Sequence, residues 1–152
     1  MSYPNIFQHE VTQQVVDRIE QLTPETQPQW GKMTVSQMLA HCCVTYEMAF
    51  TDKHPKPGGF MRLMLRAFVK QAVVGPKPYP KNSRTAPAFL ITDERDFETE
   101  KKRMIDFLWQ AQSLGEDAYE GRESLSFGKL SKEEWNVMFY KHLDHHLTQF
   151  GV

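Results

Sequence analysis

The sequence predicts an all-α fold: a four-helix bundle with an additional short helix and a long proline-rich crossover. Three observations carry that expectation. Apolar residues recur at helical spacing in five segments, capping-box patterns open two of them, and no alternating strand pattern competes.

Phe7, Val11, Val15, Ile19 and Leu22 describe a first helix that stops near Pro24. A connection through Gln27, Pro28, Gln29, Trp30 and Gly31 leads to Thr34-Val35-Ser36-Gln37, a capping box that starts a second helix running to about Phe50. After a loop from Asp52 to Gly59, Phe60 to Val74 reads as one helix with apolar residues over much of its surface, closed by Gly75-Pro76. Residues 75–90 hold four of the nine prolines, with Lys77, Lys81 and Arg84 between them, so this stretch reads as an extended connector without a strand. From about Asp93 to Leu114, Phe97, Lys101, Met104, Leu108 and Ala111 mark a long half-exposed helix that Gly115 closes. The segment Glu116 to Leu130 is polar and glycine-punctuated. Ser131-Lys132-Glu133-Glu134 then opens the last helix, through Phe150.

With 152 residues, 40% of them hydrophobic and 24% charged, residues 1–152 read as a single domain able to bury a core. Lysine and arginine number 18 against 19 acids, a formal charge of -1, which gives no broad basic footprint and argues against a nucleic-acid partner. The start MSYPNIFQHE has no basic segment followed by an apolar one, and no run of 18 apolar residues occurs, so no membrane partner is expected and the cytoplasm is the expected compartment. The two cysteines, Cys42 and Cys43, are adjacent in a helix, where pairing with each other would be strained; two free thiols fit a reducing compartment.

The chemistry concentrates at the end of the last helix. His142, His145 and His146 fall within five residues and make up half of the six histidines. At about 100° per residue, His142 and His146 lie about 40° apart, close enough for both rings to reach one ion. Trp135, Met138, Phe139, His145, His146 and Gln149 all lie within about 60° of His142, so the imidazoles continue an aromatic, inward-facing stripe. His145, three residues from His142, also faces inward and can take the place of His146. Lys141, Asp144 and Thr148 fall on the opposite side and read as solvated. Val137, Tyr140, Leu143 and Leu147 form a second apolar face that another helix or another subunit should cover.

The candidate third ligand is His41, on the side of the second helix that carries Met38, Val44, Thr45 and Met48. A buried imidazole needs a hydrogen-bond partner or a metal, and a core histidine bonded to a carbonyl is the bland alternative. His9 and His54 lie in polar settings. Cys42 is offset by about 100° from His41 and reads as a small hydrophobe, with a thiolate ligand as the alternative. The eight methionines read as core filling, and Glu47, like Asp144, as a solvated acid on the far side of its helix.

The closing HLDHHLTQFG resembles the end motif of the DinB/YfiT-like superfamily of metal-binding four-helix bundles, in which a histidine from an earlier helix joins the first and last histidines of an H-x-x-H-H run. WGKMTVSQMLAHC from Trp30, KPYPKN from Lys77 and FGKLSKEEW from Phe127 resemble one bacterial branch of it, a domain of unknown function. The resemblance implies that His41, His142 and His146 are metal ligands and that His145 is a neighbour. Two departures stand out. Members of that branch often carry a His-Pro pair where this chain reads Ser124-Leu125-Ser126, and other relatives place an arginine and a glycine after the double histidine, where this chain has Leu147 and Thr148.

Three neutral imidazoles suit a divalent transition metal, with Zn or Ni leading and Fe a further candidate, and they leave coordination positions free. Zn in such a site brings the pKa of bound water down to about 7. The resemblance implies a metal-dependent enzyme handling low-molecular-weight thiols, by S-transfer or detoxification, with a small molecule or thiol as partner. Thr45, Tyr46 and Gln149 are candidate polar groups of the pocket. The alternatives are a non-catalytic metal- or ligand-binding homodimer and a helical interaction module without metal.

Overall fold

Both capping boxes form as the spacing predicts. Gln37 N donates to Thr34 Oγ1 at 3.2 Å while Thr34 N donates to the Gln37 side chain at 3.0 Å, and Ser131 and Glu134 repeat the exchange at 3.1 and 3.0 Å. Each satisfies two otherwise orphaned donors, worth about 1 kcal/mol per cap. The computed structural model describes residues 2–152. Its helices are α1 (His9–Glu20), α2 (Val35–Phe50), α3 (Gly59–Phe68), α4 (Lys70–Val74), α5 (Phe97–Leu114) and α6 (Lys132–Gln149). The fold is mainly helical, with one small antiparallel hairpin of β1 (Arg122–Ser124) and β2 (Gly128–Leu130).

α2 packs on both α5 and α6, which explains why it is buried almost all round, from Val35 to Glu47. The core is aromatic where these helices meet. Tyr46 stacks on Phe139 at 4.5 Å, Trp135 lies 5.4 Å from Phe139, and Phe7 stacks on Tyr119 at 4.4 Å. Cys42 and Cys43 are free and fully buried. Leu143 and Leu147, from the second apolar face of the last helix, are also fully buried within the chain, so a neighbouring helix and not a subunit covers them.

Three features differ from the sequence expectation. The segment read as one helix from Phe60 breaks at Val69 into α3 and α4. The two pieces have separate supports: α4 packs on α6, while Arg62 of α3 donates to Glu123 and to the Ser124 carbonyl on β1. The hairpin was not expected because three-residue strands are too short to show alternation. Ser124 Oγ donates to the Gly128 carbonyl at 2.7 Å and accepts from Phe127 N at 3.0 Å, closing its turn. Lys141 is not solvated but 2% exposed. Its ammonium donates to the carbonyls of Ala72, Gly75 and Lys77 at 2.8, 2.7 and 3.2 Å, tying α4 and the proline-rich crossover to α6. The crossover itself is irregular apart from a 3-10 turn at Pro87–Phe89, as its prolines predict. No helix among the described residues is long and apolar enough to cross a membrane.

Candidate metal centre

α2 and α6 face each other with His41 on one and His142 and His146 on the other. One ring nitrogen from each of the three lies within 4.8 Å of the other two. His41 Nε2 is 2.9 Å from His142 Nε2, and the ring centroids of the three pairs are 4.6–4.9 Å apart. The interhelical packing of α2 on α6 creates this convergence. Near the end of α6 a single turn then supplies two imidazoles at once.

The far side of each ring decides which nitrogen is bare. His41 Nδ1 donates to the Phe89 carbonyl at 2.8 Å, which leaves Nε2 with a free lone pair. His146 Nδ1 donates to Gln149 Oε1 at 2.7 Å. The amide of Gln149 cannot turn over without loss, because its Nε2 donates to the Trp30 carbonyl at 2.7 Å. His146 therefore also presents a bare Nε2. His142 Nδ1 lies 3.2 Å from Thr45 Oγ1, and a hydroxyl serves either tautomer. Without an ion, Thr45 donates to Nδ1 and His142 Nε2 donates to His41; with an ion, Nδ1 donates to Thr45 and Nε2 is released.

Gly31 is part of this support. Its φ of +83° belongs to the left-handed region, and a Cβ there would lie 2.6 Å from Gln149 Nε2. Only glycine allows the Trp30 carbonyl and the Gln149 amide to approach in this way.

Electrostatics keeps the rings neutral. Burial, reinforced by His41, holds His146 down to about 3, and burial with the neighbouring imidazoles pushes His142 well below the histidine range. Burial also lowers His41, against the opposing pull of the Phe89 carbonyl. Unprotonated imidazoles are the form a metal requires. The donor set fits a divalent transition metal: three neutral nitrogens, two of them locked in the ligating tautomer, with no carboxylate in the group.

His145 is outside the group. It is half-buried, edge-on to Trp30 at 5.8 Å and to Tyr79 at 5.7 Å, so the alternative of His145 replacing His146 is not the arrangement found. Of the three pocket candidates, Thr45 and Gln149 contact the histidines, whereas Tyr46 lies in the aromatic core with a hydroxyl that has no hydrogen-bond partner among the described residues. Cys42 takes no part either. Burial pushes its thiol well above the usual range, and its sulfur faces Met38. The Phe89 and Trp30 carbonyls went unforeseen because backbone acceptors leave no signature in sequence.

A second polar cluster on α2 corrects the reading of Glu47 as solvated. Glu47 is 3% exposed and accepts from Lys53 at 3.1 Å, from His54 Nε2 at 2.7 Å and from Arg103. Glu100, also buried, pairs with Arg103 at 2.5 Å and with Arg95 at 3.3 Å. Burial raises the Glu47 carboxyl, but the hydrogen bonds from His54, Arg103 and Lys53 outweigh it and hold it below its ordinary value. The loop histidine His54 is thus tied to a buried acid, not to the three-histidine group. Asp144 pairs with Arg18 at 2.8 Å and is half-buried.

No curated protein and no solved structure matches the chain. The family model described as "Protein of unknown function (DUF1569)" matches residues 2–151, and the chain belongs to that family.

Proposed function

We propose that this chain is a metal-binding protein of the DinB/YfiT-like kind, with α1, α2, α5 and α6 as the four bundle helices and His41, His142 and His146 as the ligands. The observation that carries the reading is the convergence of three imidazole nitrogens within 4.8 Å, two of them in tautomers locked by the Phe89 carbonyl and by Gln149. The element order supports the bundle: two long helices, a crossover from residue 51 to 96 holding α3 and α4, then two more long helices. Zn or Ni is the leading ion and Fe the next, because imidazole suits all three.

With three neutral ligands and no carboxylate beside them, a bound ion keeps its positive charge and free positions, so it acidifies a water or thiol and favours an anionic exogenous ligand. That preference supports a small thiol as the partner and metal-dependent thiol transfer or detoxification as the reaction class. The chain's own contribution is positional. Phe89 and Gln149 aim two lone pairs at one point, Thr45 accommodates the third ring in either tautomer, and burial keeps all three rings unprotonated.

The test is elemental analysis of the purified protein beside its His41→Ala and His146→Ala variants. Near-stoichiometric metal in the wild type and background in both variants is expected; equal content in all three ends the proposal. A thiol-conjugation assay on the loaded protein then separates an enzyme from a structural metal site.

A further inference from the structure

α3 is inside out. Around a regular helix its arginines, Arg62 and Arg66, fall on one edge, and that edge faces the hairpin. Arg62 bonds Glu123, and the guanidinium of Arg66 lies against Gly128. The broad arc opposite carries Phe60, Met61, Leu63, Met64 and Phe68, and it faces solvent. Phe60 is 77% exposed and Phe68 74%, and no residue of α3 is buried. A contiguous apolar face of this kind on a helix marks a surface that something covers.

The charge of the segment that carries it says what covers it. Residues 53–92 hold eight of the chain's 18 cations and none of its 19 acids. The whole-chain charge of -1 conceals this segregation. Lys53, Arg62 and Lys70 are paired with acids from other segments, but Lys56, Arg66, Lys77 and Arg84 are exposed and take part in no ion pair among the described residues. Between α3 and the hairpin lies a groove of about 600 Å³ in which Arg62, Arg66 and Lys129 meet a single acid, Glu123.

We propose that α3 lies on an anionic lipid surface, with Phe60, Met64 and Phe68 seated among the acyl chains and the surrounding cations on the headgroup phosphates. An amphipathic helix with aromatic and aliphatic residues on one face and cations beside it is the form that binds in the interface plane. A second copy of the chain fits worse. A two-fold contact would set each cationic segment against its own image, so the charge that attracts phosphate repels a twin. Surface association is compatible with the lack of any crossing helix among the described residues, and it departs from the expectation of no membrane partner, which rested on the absence of a basic-then-apolar start and of a spanning apolar run. The proposal does not depend on the metal reading.

The experiment is co-sedimentation of the full chain with vesicles of phosphatidylcholine alone and of phosphatidylcholine mixed with phosphatidylglycerol, at low and high salt. The wild type is expected on the anionic vesicles only, and to leave them as salt rises. The double variant Phe60→Ser/Phe68→Ser should bind about a hundredfold more weakly with an unchanged melting temperature, since both rings are in solvent. The double variant Lys56→Glu/Arg84→Glu should lose about tenfold and its preference for anionic lipid. No binding by the wild type, equal binding by the serine variant, or a wild-type dimer that the serine substitutions dissociate would each overturn the proposal, the last by naming a second copy as the cover.

Discussion

Two polar clusters sit on the same helix and differ in kind. Around Glu47, every charge meets its opposite, with Arg103 and Lys53 on one carboxylate and Arg103 and Arg95 on Glu100, and the His54 ring donates to the same Glu47 carboxylate. Around His41, three neutral rings converge, two of them with bare Nε2 nitrogens, and no carboxylate belongs to the group. A cluster that satisfies itself holds the fold together; one that leaves lone pairs aimed at a common point has capacity for a ligand. Burial and polarity alone would have ranked the two alike.

The largest way to break this contrast is Glu47→Ala. It takes one of the two carboxylates that Arg103 bridges and removes the partner of Lys53 and His54, so it should cost about 1–3 kcal/mol in urea unfolding while leaving metal content per folded molecule unchanged. Metal loss from the folded variant would mean that the clusters are coupled. Acid gives a second separation. In the metal-free protein His146 has a folded pKa of about 3 against an unfolded value near 6.5, so between those limits the unfolded chain binds the extra proton. Stability should therefore fall as pH drops through that window, by up to about 1.4 kcal/mol per pH unit for this one ring, and His146→Ala should flatten the slope. A slope identical in the variant would show that the ring is not held neutral. The smallest effect sharpens the roles inside the site. Gln149→Leu keeps the apolar volume but frees the His146 tautomer, and metal affinity should fall about tenfold to a hundredfold by competition with a chelating dye, with the three ligands intact. Unaltered affinity would place Gln149 outside the centre.

The hairpin and the break at Val69 escaped prediction for one physical reason: neither has enough residues to establish a period. Lys141 and Glu47 were misassigned for another. A helical wheel ranks faces by polarity, and it cannot know that three carbonyls of α4 and the crossover, or an arginine of α5, will be waiting on the polar side. His145 and His146 were separable only in part, since both face inward from the same turn.

The order of helices, both capping boxes, the irregular crossover and the pairing of His142 with His146 on one face were all set locally, because helical period and cap chemistry act over a few residues. Tertiary packing alone brought His41 to that pair across about a hundred residues, supplied the Phe89 and Trp30 carbonyls that orient the rings, and turned the apolar face of α3 outward. Those outcomes depend on which surfaces meet, and a backbone carbonyl or an uncovered face has no residue type by which a linear chain could declare it.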